Sequence, residues 1–521
     1  MSQGLSRTDV DQDLLAKFTS EIKAHVPHTR DGKSGTAIIN PTPLVDITDS
    51  VLDCARTEFD LDFSTRKAKV FGKFDSQIFG SSVKVRPAVQ IIEEAIATGR
   101  LRTGQTVFEA TSGNFGLALG MLEKLGLRVV VLVSRKLQEG VVEELKKKNV
   151  KTVDLDVDIC PAPGLKVDQN ILAAKVTAEN LKQELVQIGL DGAVFDSARG
   201  EIEGLLARQD VINLAKFLAK AYGGFSPEQY DNELNVKSHE TVTGPEIDQQ
   251  VRVLGYSLDD FRVVTTFGTG GTSAGLSNYT QAKYARKTVH VVFPLGNQDV
   301  AGIRTKDKAM GLRFYKPGLY AGQHEVDFDA SKRVLRFFAG RGYDIGESSA
   351  LALYCCIQML NYEVGDKFVV IIADGIDKYR KTLDSMAEAP RRLEVTVQEA
   401  SAGLANYSGI LWTHGMFVPK EEGLKLVASS LGCDESRVKI ARASDVQALI
   451  STQQIPDTFG ALLPRDKGRL LLVCMAGGTS LRVAQILAEK GVEGESLTGG
   501  IMALPAPIGK EPADLVQVAR E

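Results

Sequence analysis

Three short motifs contain residue types that could do chemistry together. Lys84 lies in the run Gly80-Ser-Ser-Val-Lys-Val-Arg86, Thr-Ser-Gly-Asn occupies residues 111–114, and Gly-Thr-Gly-Gly-Thr occupies residues 268–272. A lysine amine can form a Schiff base with an aldehyde, and burial lowers its pKa and makes it a better nucleophile. The second motif offers groups for a carboxylate, and the third offers backbone amides for a phosphate. Together they predict a site for an amino acid and an aldehyde that carries a phosphate.

The glycine-rich motif is predicted to lie between a strand at 261–267 and a helix that begins near Ser273. The amides and the positive end of a helix N-terminus bind phosphate groups. A dinucleotide fingerprint would require glycine at position 273, and the Gly-Lys-Ser/Thr of a P-loop is absent. A monophosphate ligand therefore fits better than a dinucleotide or ATP, although a glycine loop taken alone is more often an ordinary tight turn.

The elements that must position these motifs follow an alternating pattern. From Ala68 onward, β-branched runs such as 128–133, 289–293 and 367–372 alternate with helical patterns. Such runs are typical of parallel strands that are buried on both faces, so we expect an α/β layered fold. A composition change over residues 386–392 predicts a linker and two parts, 1–390 and 391–521. Residues 155–205 are predicted to be irregular.

Composition restricts the class of protein. The chain has 521 residues, of which 43% are hydrophobic and 25% charged, and a formal net charge of -4. These values are typical of a soluble protein of several domains and argue against nucleic acid or anionic membrane partners. No apolar stretch has the length of a membrane helix, and the first residues lack a signal-peptide core, so we expect a cytoplasmic protein. The six cysteines contain no C-x-x-C pair, so neither a disulfide framework nor a metal site is expected.

Residues from about 40 to 385 resemble the fold type II pyridoxal phosphate enzymes, in particular the cysteine synthase and cystathionine β-synthase group. The resemblance implies a two-subdomain α/β fold of the tryptophan synthase β type, pyridoxal 5′-phosphate as cofactor, a small amino acid as substrate, and a homodimer. Five motifs in the family's order carry it: Pro41-Thr-Pro-Leu-Val45; Glu109-Ala-Thr-Ser-Gly-Asn-Phe-Gly-Leu-Ala-Leu119; Gln229-Tyr-Asp-Asn232 with His239-Glu-Thr-Val-Thr-Gly-Pro-Glu-Ile247; the loop 268–272; and Gly346-Glu-Ser-Ser-Ala350.

The resemblance also implies roles for single residues. Lys84 would hold the cofactor as a Schiff base and move the substrate α-proton, Asn114 would contact the ring oxygen, and Ser348 would face the pyridine nitrogen. The phosphate would be held by Gly268, Thr269, Gly270, Gly271 and Thr272. The substrate would be bound by Thr111, Ser112, Gly113, Phe115 and Gln229.

The implied reaction is β-replacement. A neutral serine partner leaves the pyridine nitrogen unprotonated, which favours β-elimination through an aminoacrylate over transamination. We therefore expect O-acetylserine or O-phosphoserine to lose its β-substituent and to gain sulfur, forming cysteine. Arg304, Lys306 and Arg313 either receive a phosphate or form a solvated face.

Departures from the family pattern leave alternatives open. Val85, Phe115 and Ala350 stand where aspartate, threonine and glycine are common in the family. Phe115 is reminiscent of relatives that make 2,3-diaminopropionate from O-phosphoserine, with an amine as nucleophile. Cysteine breakdown, which uses the same residues, and a catalytically silent binding protein are further alternatives.

The C-terminal part contains a second candidate for chemistry. Residues 471–491 run strand, loop and helix, and they place Cys474 at a helix N-terminus. Amides there favour a thiolate and can hold an anionic persulfide. The segment resembles the active-site half of a rhodanese, which implies a small α/β domain with Cys474 as a catalytic thiol that passes sulfur from a donor to the first part. The alternative is a docking domain with an inert buried thiol, which is also what we expect of Cys355 and Cys356.

Overall fold

The computed structural model forms two compact units, Met1–Asp384 and Ser385–Glu521. The predicted boundary at about 390 lies close to this division, and the predicted linker, 386–392, lies outside the described residues. Within the described residues, no helix combines the length and the apolar composition that crossing a bilayer requires. The described residues are 10–30, 37–111, 113–133, 139–154, 178–296, 298–380, 383, 393–413, 420–464, 468–474 and 477–504.

The first unit contains a mixed six-stranded sheet with the strand order β10-β9-β8-β11-β4-β3, in which only the edge strand β3 is antiparallel to its neighbour. A second, parallel sheet has the order β5-β6-β7, and β1 and β2 form a short antiparallel pair. The strands are β1 His28–Thr29, β2 Ile38–Ile39, β3 Leu44–Asp46, β4 Lys69–Phe74, β5 Thr106–Thr111, β6 Arg128–Val133, β7 Lys151–Asp154, β8 Arg262–Thr266, β9 Val289–Pro294, β10 Gly322–Val326 and β11 Lys367–Ile372.

Helices cover both sheets, which explains why the strand sequences are apolar on both faces. The helices of this unit are α1 Gln12–Glu21, α2 Thr48–Phe59, α3 Val85–Ala97, α4 Asn114–Leu119, α5 Glu139–Lys147, α6 Ala178–Gln187, α7 Gly192–Ala207, α8 Val211–Ala221, α9 Glu233–Ser238, α10 Gly244–Val253, α11 Gly271–Tyr284, α12 Lys306–Ala309, α13 Phe328–Gly340 and α14 Glu347–Asn361. Cys355 and Cys356 are buried in α14, as predicted, and this burial raises the pKa of both thiols.

The prediction of an irregular stretch at 155–205 is wrong for its second part. Residues 178–187 lie in α6 and residues 192–205 in α7, while 155–177 lie outside the described residues. Helix α7 begins after Asp191, whose side chain accepts a hydrogen bond from the Ala193 amide at 2.8 Å, and it buries Phe195, Ile202 and Leu205. Glycines at 192, 200 and 204 lower the intrinsic helix propensity, so the sequence pattern was weak although tertiary packing stabilises the helix.

The second unit is built on a five-stranded parallel sheet with the order β12-β16-β15-β13-β14. Trp412 on β13, the only tryptophan in the chain, is 1% exposed in the core of this sheet. The strands are β12 Glu394–Val395, β13 Tyr407–Thr413, β14 Val438–Ala441, β15 Arg469–Val473 and β16 Gly494–Leu497, and the helices are Val397–Ala402, Lys420–Leu431, Ala443–Thr452, Asp457–Gly460 and Gly478–Glu489.

A buried network of charges fixes the start of α3 in the first unit. The Arg86 guanidinium donates two hydrogen bonds to the Asp75 carboxylate and one to Glu246, each at 2.7 Å. Lys73 donates to the other oxygen of Glu246 at 2.5 Å and to the Thr42 carbonyl at 2.6 Å. All four charged side chains are at most 1% exposed. Because Lys84 directly precedes α3, this network also fixes the backbone that carries Lys84.

We predict that Glu246→Gln lowers the free energy of unfolding of the first unit by about 3–5 kcal/mol, because two buried cations lose a shared anion. Urea unfolding followed by far-ultraviolet circular dichroism measures the change. The matched control is Glu240→Gln, whose carboxylate pairs with Lys237 near the surface, and its effect should stay within about 0.5 kcal/mol. Equal effects of the two substitutions would contradict this role of the network.

Candidate active site

One pocket in the first unit brings most of the predicted site residues together. It lies at the carboxyl ends of parallel strands, where ligands of α/β sheets bind. Gly113 and Gly271 adjoin its lining, and Ser112 lies outside the described residues. The predicted residues that line the pocket are Lys84, Thr111, Asn114, Phe115, Gln229, Gly268, Thr269, Gly270, Thr272 and Ser348.

Lys84 presents an amine without a protein partner. Its Nζ makes no hydrogen bond or ion pair with any described residue, and a methyl group at Gly268 would lie 3.6 Å from it. Burial, and then the positive charge of Arg304, lower the pKa of Lys84 to about 8. The predicted lowering is thus confirmed, and the neutral amine that attacks an aldehyde is accessible near neutral pH.

The glycine loop connects β8 to α11, as predicted, although the helix begins at Gly271 rather than near Ser273. Gly270 adopts a left-handed conformation with φ of 90°, which an L side chain rarely adopts. The Thr269 hydroxyl accepts a hydrogen bond from Asn235 Nδ2 at 2.9 Å and another from the Gly271 amide at 3.3 Å. The loop therefore ends in a helix N-terminus whose amides can receive a phosphate.

Two residues behind this loop were not predicted as part of the site. Asn235 also donates to the Gln229 carbonyl at 2.7 Å, so it links the loop to the segment that holds Gln229. His239 Nε2 lies 3.2 Å from the Thr272 hydroxyl, and its Nδ1 lies 3.0 Å from the Thr243 hydroxyl. Burial, and then the positive charge of Arg86, lower the pKa of His239 to about 3, so its imidazole stays neutral. His239 begins one of the family motifs, and Asn235 lies between two of them. These positions were the sequence signal that could have identified both residues.

Asn114 begins α4 and is held by a buried ion pair. Its Nδ2 donates to Asp374 at 2.7 Å, and its Oδ1 accepts from Lys378 Nζ at 2.5 Å. The Tyr379 hydroxyl donates to the same Asp374 oxygen at 2.7 Å, and its ring lines the pocket. Asp374, Lys378 and Tyr379 were also not predicted as part of the site. Their place just beyond β11, at the carboxyl end of a parallel strand, was the signal that could have found them.

The predicted carboxylate site is built on the end of β5. The Thr111 hydroxyl accepts a hydrogen bond from the Gly113 amide at 3.1 Å. Gln229 Nε2 donates to the Ala110 carbonyl at 3.1 Å, which leaves its second N–H for a ligand. Burial raises the pKa of the neighbouring Glu109 to about 8. The Glu109 carboxyl group accepts a hydrogen bond from the backbone amide of Gln229 at 3.3 Å.

Ser348 lies in the first turn of α14 and lines the pocket. Its hydroxyl makes no hydrogen bond with any described residue, so it can serve a ligand. An unpaired amine, an unpaired neutral hydroxyl and a glycine nest at a helix N-terminus together fit the aldehyde, ring nitrogen and phosphate of pyridoxal phosphate. Lys84, Ser348 and the loop 268–272 would hold these three groups in turn.

Cys474 lies in the second unit, directly after β15. Its Sγ accepts hydrogen bonds from the Gly477 amide at 3.1 Å and from the Ser480 hydroxyl at 3.2 Å. The connections from β13 to β14 and from β15 to β16 run in opposite directions, so Cys474 lies beside the topological switch point of the sheet, where ligands bind in such folds.

We predict that Gly270→Ala weakens the binding of pyridoxal phosphate at least tenfold, because a side chain at φ of 90° is strained and would meet Phe267 at 2.8 Å and the Phe314 carbonyl at 2.9 Å. A titration of cofactor-free protein, followed by the visible absorption of the bound cofactor, measures this. Gly318→Ala is the control, because a methyl group there meets no atom within 4 Å. Unchanged affinity in Gly270→Ala would place the phosphate elsewhere.

Comparisons with known proteins identify the family of the chain. The family model described as pyridoxal-phosphate dependent enzyme matches residues 38–375. A cysteine synthase of Staphylococcus aureus is 26% identical over 357 residues, which cover 67% of this chain and 95% of the relative. A probable cysteine synthase of Bacillus subtilis is 26% identical over 325 residues, covering 60% and 89%.

Among solved structures, O-ureido-L-serine synthase is similar, with a TM-score of 0.47 and 21% identity over 67% of this chain and 94% of the other. An O-acetylserine dependent cystathionine beta-synthase from Helicobacter pylori has a TM-score of 0.48 and 18% identity, covering 66% and 98%. The family match spans more than half of the chain and includes every predicted cofactor contact. The chain therefore belongs to the pyridoxal-phosphate dependent enzymes, and its cofactor is pyridoxal 5′-phosphate.

Proposed function

We propose that the first unit catalyses β-replacement on an O-activated serine, O-acetylserine or O-phosphoserine, and forms cysteine. The observation that carries the proposal is the unpaired Lys84 amine, which faces the glycine loop and shares its pocket with the neutral Ser348 hydroxyl. The similarity to cysteine synthases over nearly their whole length supports the same reaction. When bound, the cofactor supplies an electron sink that stabilises negative charge at the substrate α-carbon.

Side chains of the pocket would bind the substrate and transfer its proton. Thr111 and Gln229 orient the substrate carboxylate, and the buried Phe115 ring excludes water beside it. Lys84 removes the α-proton, and a pKa of about 8 suits proton exchange near neutral pH. Ser348 gives the ring nitrogen a neutral partner, which weakens the sink and favours loss of the β-substituent.

The buried Phe115 ring also supports a second candidate. Phe115 places an aromatic ring in the pocket where the family commonly has a threonine. This ring could favour a different nucleophile, and an amine would give 2,3-diaminopropionate instead of cysteine. The same pocket would serve cysteine breakdown if the reaction runs from cysteine.

We further propose that the second unit is a rhodanese-like sulfur carrier. The Cys474 thiolate would take the outer sulfur of thiosulfate and release sulfite. Two molecules of an added thiol would then reduce the persulfide, become a disulfide, release hydrosulfide and leave the Cys474 thiolate. The Gly477 amide and the Ser480 hydroxyl, which donate to Sγ, support an anionic sulfur at this position. Because both units belong to one chain, sulfide is released at a raised local concentration.

We predict that the holoenzyme forms cysteine from sulfide and one of the two activated serines, and that the donor shifts the visible absorption band of the cofactor. Lys84→Ala should lower kcat/KM about 10³-fold, because proton transfer is lost. Lys332→Ala, which removes a half-buried lysine paired with Asp329, is the control. Formation of 2,3-diaminopropionate when ammonia competes with sulfide would favour the amine reaction. A band shift with cysteine but with neither activated serine would favour cysteine breakdown. The absence of a visible band would favour a silent binding protein.

We predict that Cys474→Ser abolishes cysteine formation from thiosulfate plus a thiol but leaves formation from sulfide unchanged, because only the first route needs the carrier. Mass spectrometry of the intact protein should detect one added sulfur atom on the wild type and none on the variant. Cys433→Ser, in the same unit but away from the β15 end, is the control. Full thiosulfate-dependent activity in Cys474→Ser would refute the sulfur relay.

A further inference from the structure

Arg304 differs from the two cations that accompany it in the sequence. Arg313 pairs with Glu233 at 2.6 Å, and Lys306 lies 3.5 Å from Glu325. Arg304 forms no ion pair with a carboxylate of any described residue. It is half-buried, and its Nε is buried without a hydrogen-bond partner. A desolvated donor without an acceptor is unfavourable, so the site is suited to a ligand that supplies one.

The backbone of Arg304 is tied to the catalytic pocket. Its amide donates to the Phe267 carbonyl at 2.8 Å, immediately before the glycine loop. The two residues before it, Gly302 and Ile303, line the pocket. A methyl group at Gly268 would lie 2.8 Å from the Gly302 carbonyl, so this segment lies against the loop.

The Arg304 side chain reaches the residue next to Gln229, which lines the pocket. Its Nη2 donates to the Tyr230 hydroxyl at 3.0 Å, and Tyr230 follows the pocket residue Gln229. After burial, the positive charge of Arg304 is the second cause that lowers the pKa of Lys84. Among the described residues, the Arg304 guanidinium is therefore a cation without a carboxylate partner, and its backbone adjoins the pocket that Lys84 lines.

Two anionic groups already have binding groups in this pocket. The glycine loop and the N-terminus of α11 would hold the cofactor phosphate, and the groups at the end of β5 would hold the substrate α-carboxylate. From these contacts we propose that Arg304 binds an anionic β-substituent of the substrate, so that the preferred substrate class is the O-phosphorylated serine rather than the neutral O-acetyl ester. This inference rests on the proposed β-replacement.

The chemistry of the step is consistent with this role. Lys84 removes the α-proton, the bond between the β-carbon and oxygen breaks, and its electron pair leaves with the phosphate. Negative charge grows on the phosphate oxygens as the bond breaks, and the free N–H groups of Arg304 can donate to them. A neutral acetyl ester would leave the buried Nε without an anionic acceptor.

The first test is binding to the holoenzyme, followed by the visible absorption of the cofactor. The probes are L-2-amino-4-phosphonobutyrate, a phosphonate isostere of phosphoserine that has no leaving group, and norvaline, which lacks the anion. We expect the wild type to bind the phosphonate more tightly, and Arg304→Gln to weaken phosphonate binding about ten- to hundredfold without changing norvaline binding. Arg304→Lys should restore part of the preference, and Tyr230→Phe, which keeps the cation, should retain most of it.

Control variants separate this role from others. Arg313→Gln removes an arginine that already has a partner, and it should not change either affinity. Retention of the phosphonate preference in Arg304→Gln would overturn the inference. An equal loss for phosphonate and norvaline, or a loss of cofactor affinity, would overturn it as well, because Arg304 would then serve the α-carboxylate or the cofactor.

Turnover distinguishes this inference from the proposed function. If β-replacement is correct and Arg304 selects the anion, Arg304→Gln lowers kcat/KM for O-phosphoserine but not for O-acetylserine. If both substrates suffer equally, the inference falls and the proposed function stands. If the wild type converts neither substrate while Arg304-dependent phosphonate binding persists, the proposed function falls and the anion site stands.

Discussion

The buried contact between Arg86, Asp75 and Glu246 is the constraint on which the active site depends. It joins three elements that are distant in sequence, the segment after β4, the first turn of α3, and α10. Removing these three groups and Lys73, which pairs with Glu246, from water carries a large desolvation cost. Only good geometry and full hydrogen bonding can offset that cost. Such a network tolerates little displacement of α3, and Lys84 lies two residues before Arg86. The position of the reactive amine is thus set by electrostatics rather than by apolar packing alone.

Positive groups around the pocket are charged, whereas two of its buried titratable groups are uncharged, and this difference favours anionic ligands. Positive charge comes from Lys84, Arg304 and the N-terminus of α11. Burial raises the pKa of Glu109, which favours its uncharged form. Burial also lowers the pKa of His239, so its imidazole is neutral. Asp374 is the acidic side chain that contacts Asn114, and it is shared by Lys378 and Tyr379. A phosphorylated cofactor and a carboxylated substrate both benefit from such a field.

Local patterns predicted much of the fold and part of the site. The strands at 128–133 and 367–372 lie where their β-branched runs predicted, because burial on both faces leaves a continuous apolar sequence. The glycine loop was recognisable because phosphate binding needs backbone amides and a helix end in fixed order along the chain. Asp374, Lys378 and Asn235 lie at positions that a strand end or the flanking family motifs mark, but they were missed because their partners are more than 30 residues away, and no local pattern encodes those contacts. Helix α7 was missed because its stability comes from packing and not from its own glycine-containing sequence.

The distribution of chromophores between the two units has a practical result. Trp412 is the only tryptophan and lies in the core of the second unit, whereas the cofactor belongs to the first. Indole fluorescence therefore reports on one unit, and visible circular dichroism of the cofactor reports on the other. Melting curves recorded with both signals on the same sample therefore assign each observed unfolding transition to its half of the chain without cutting the protein.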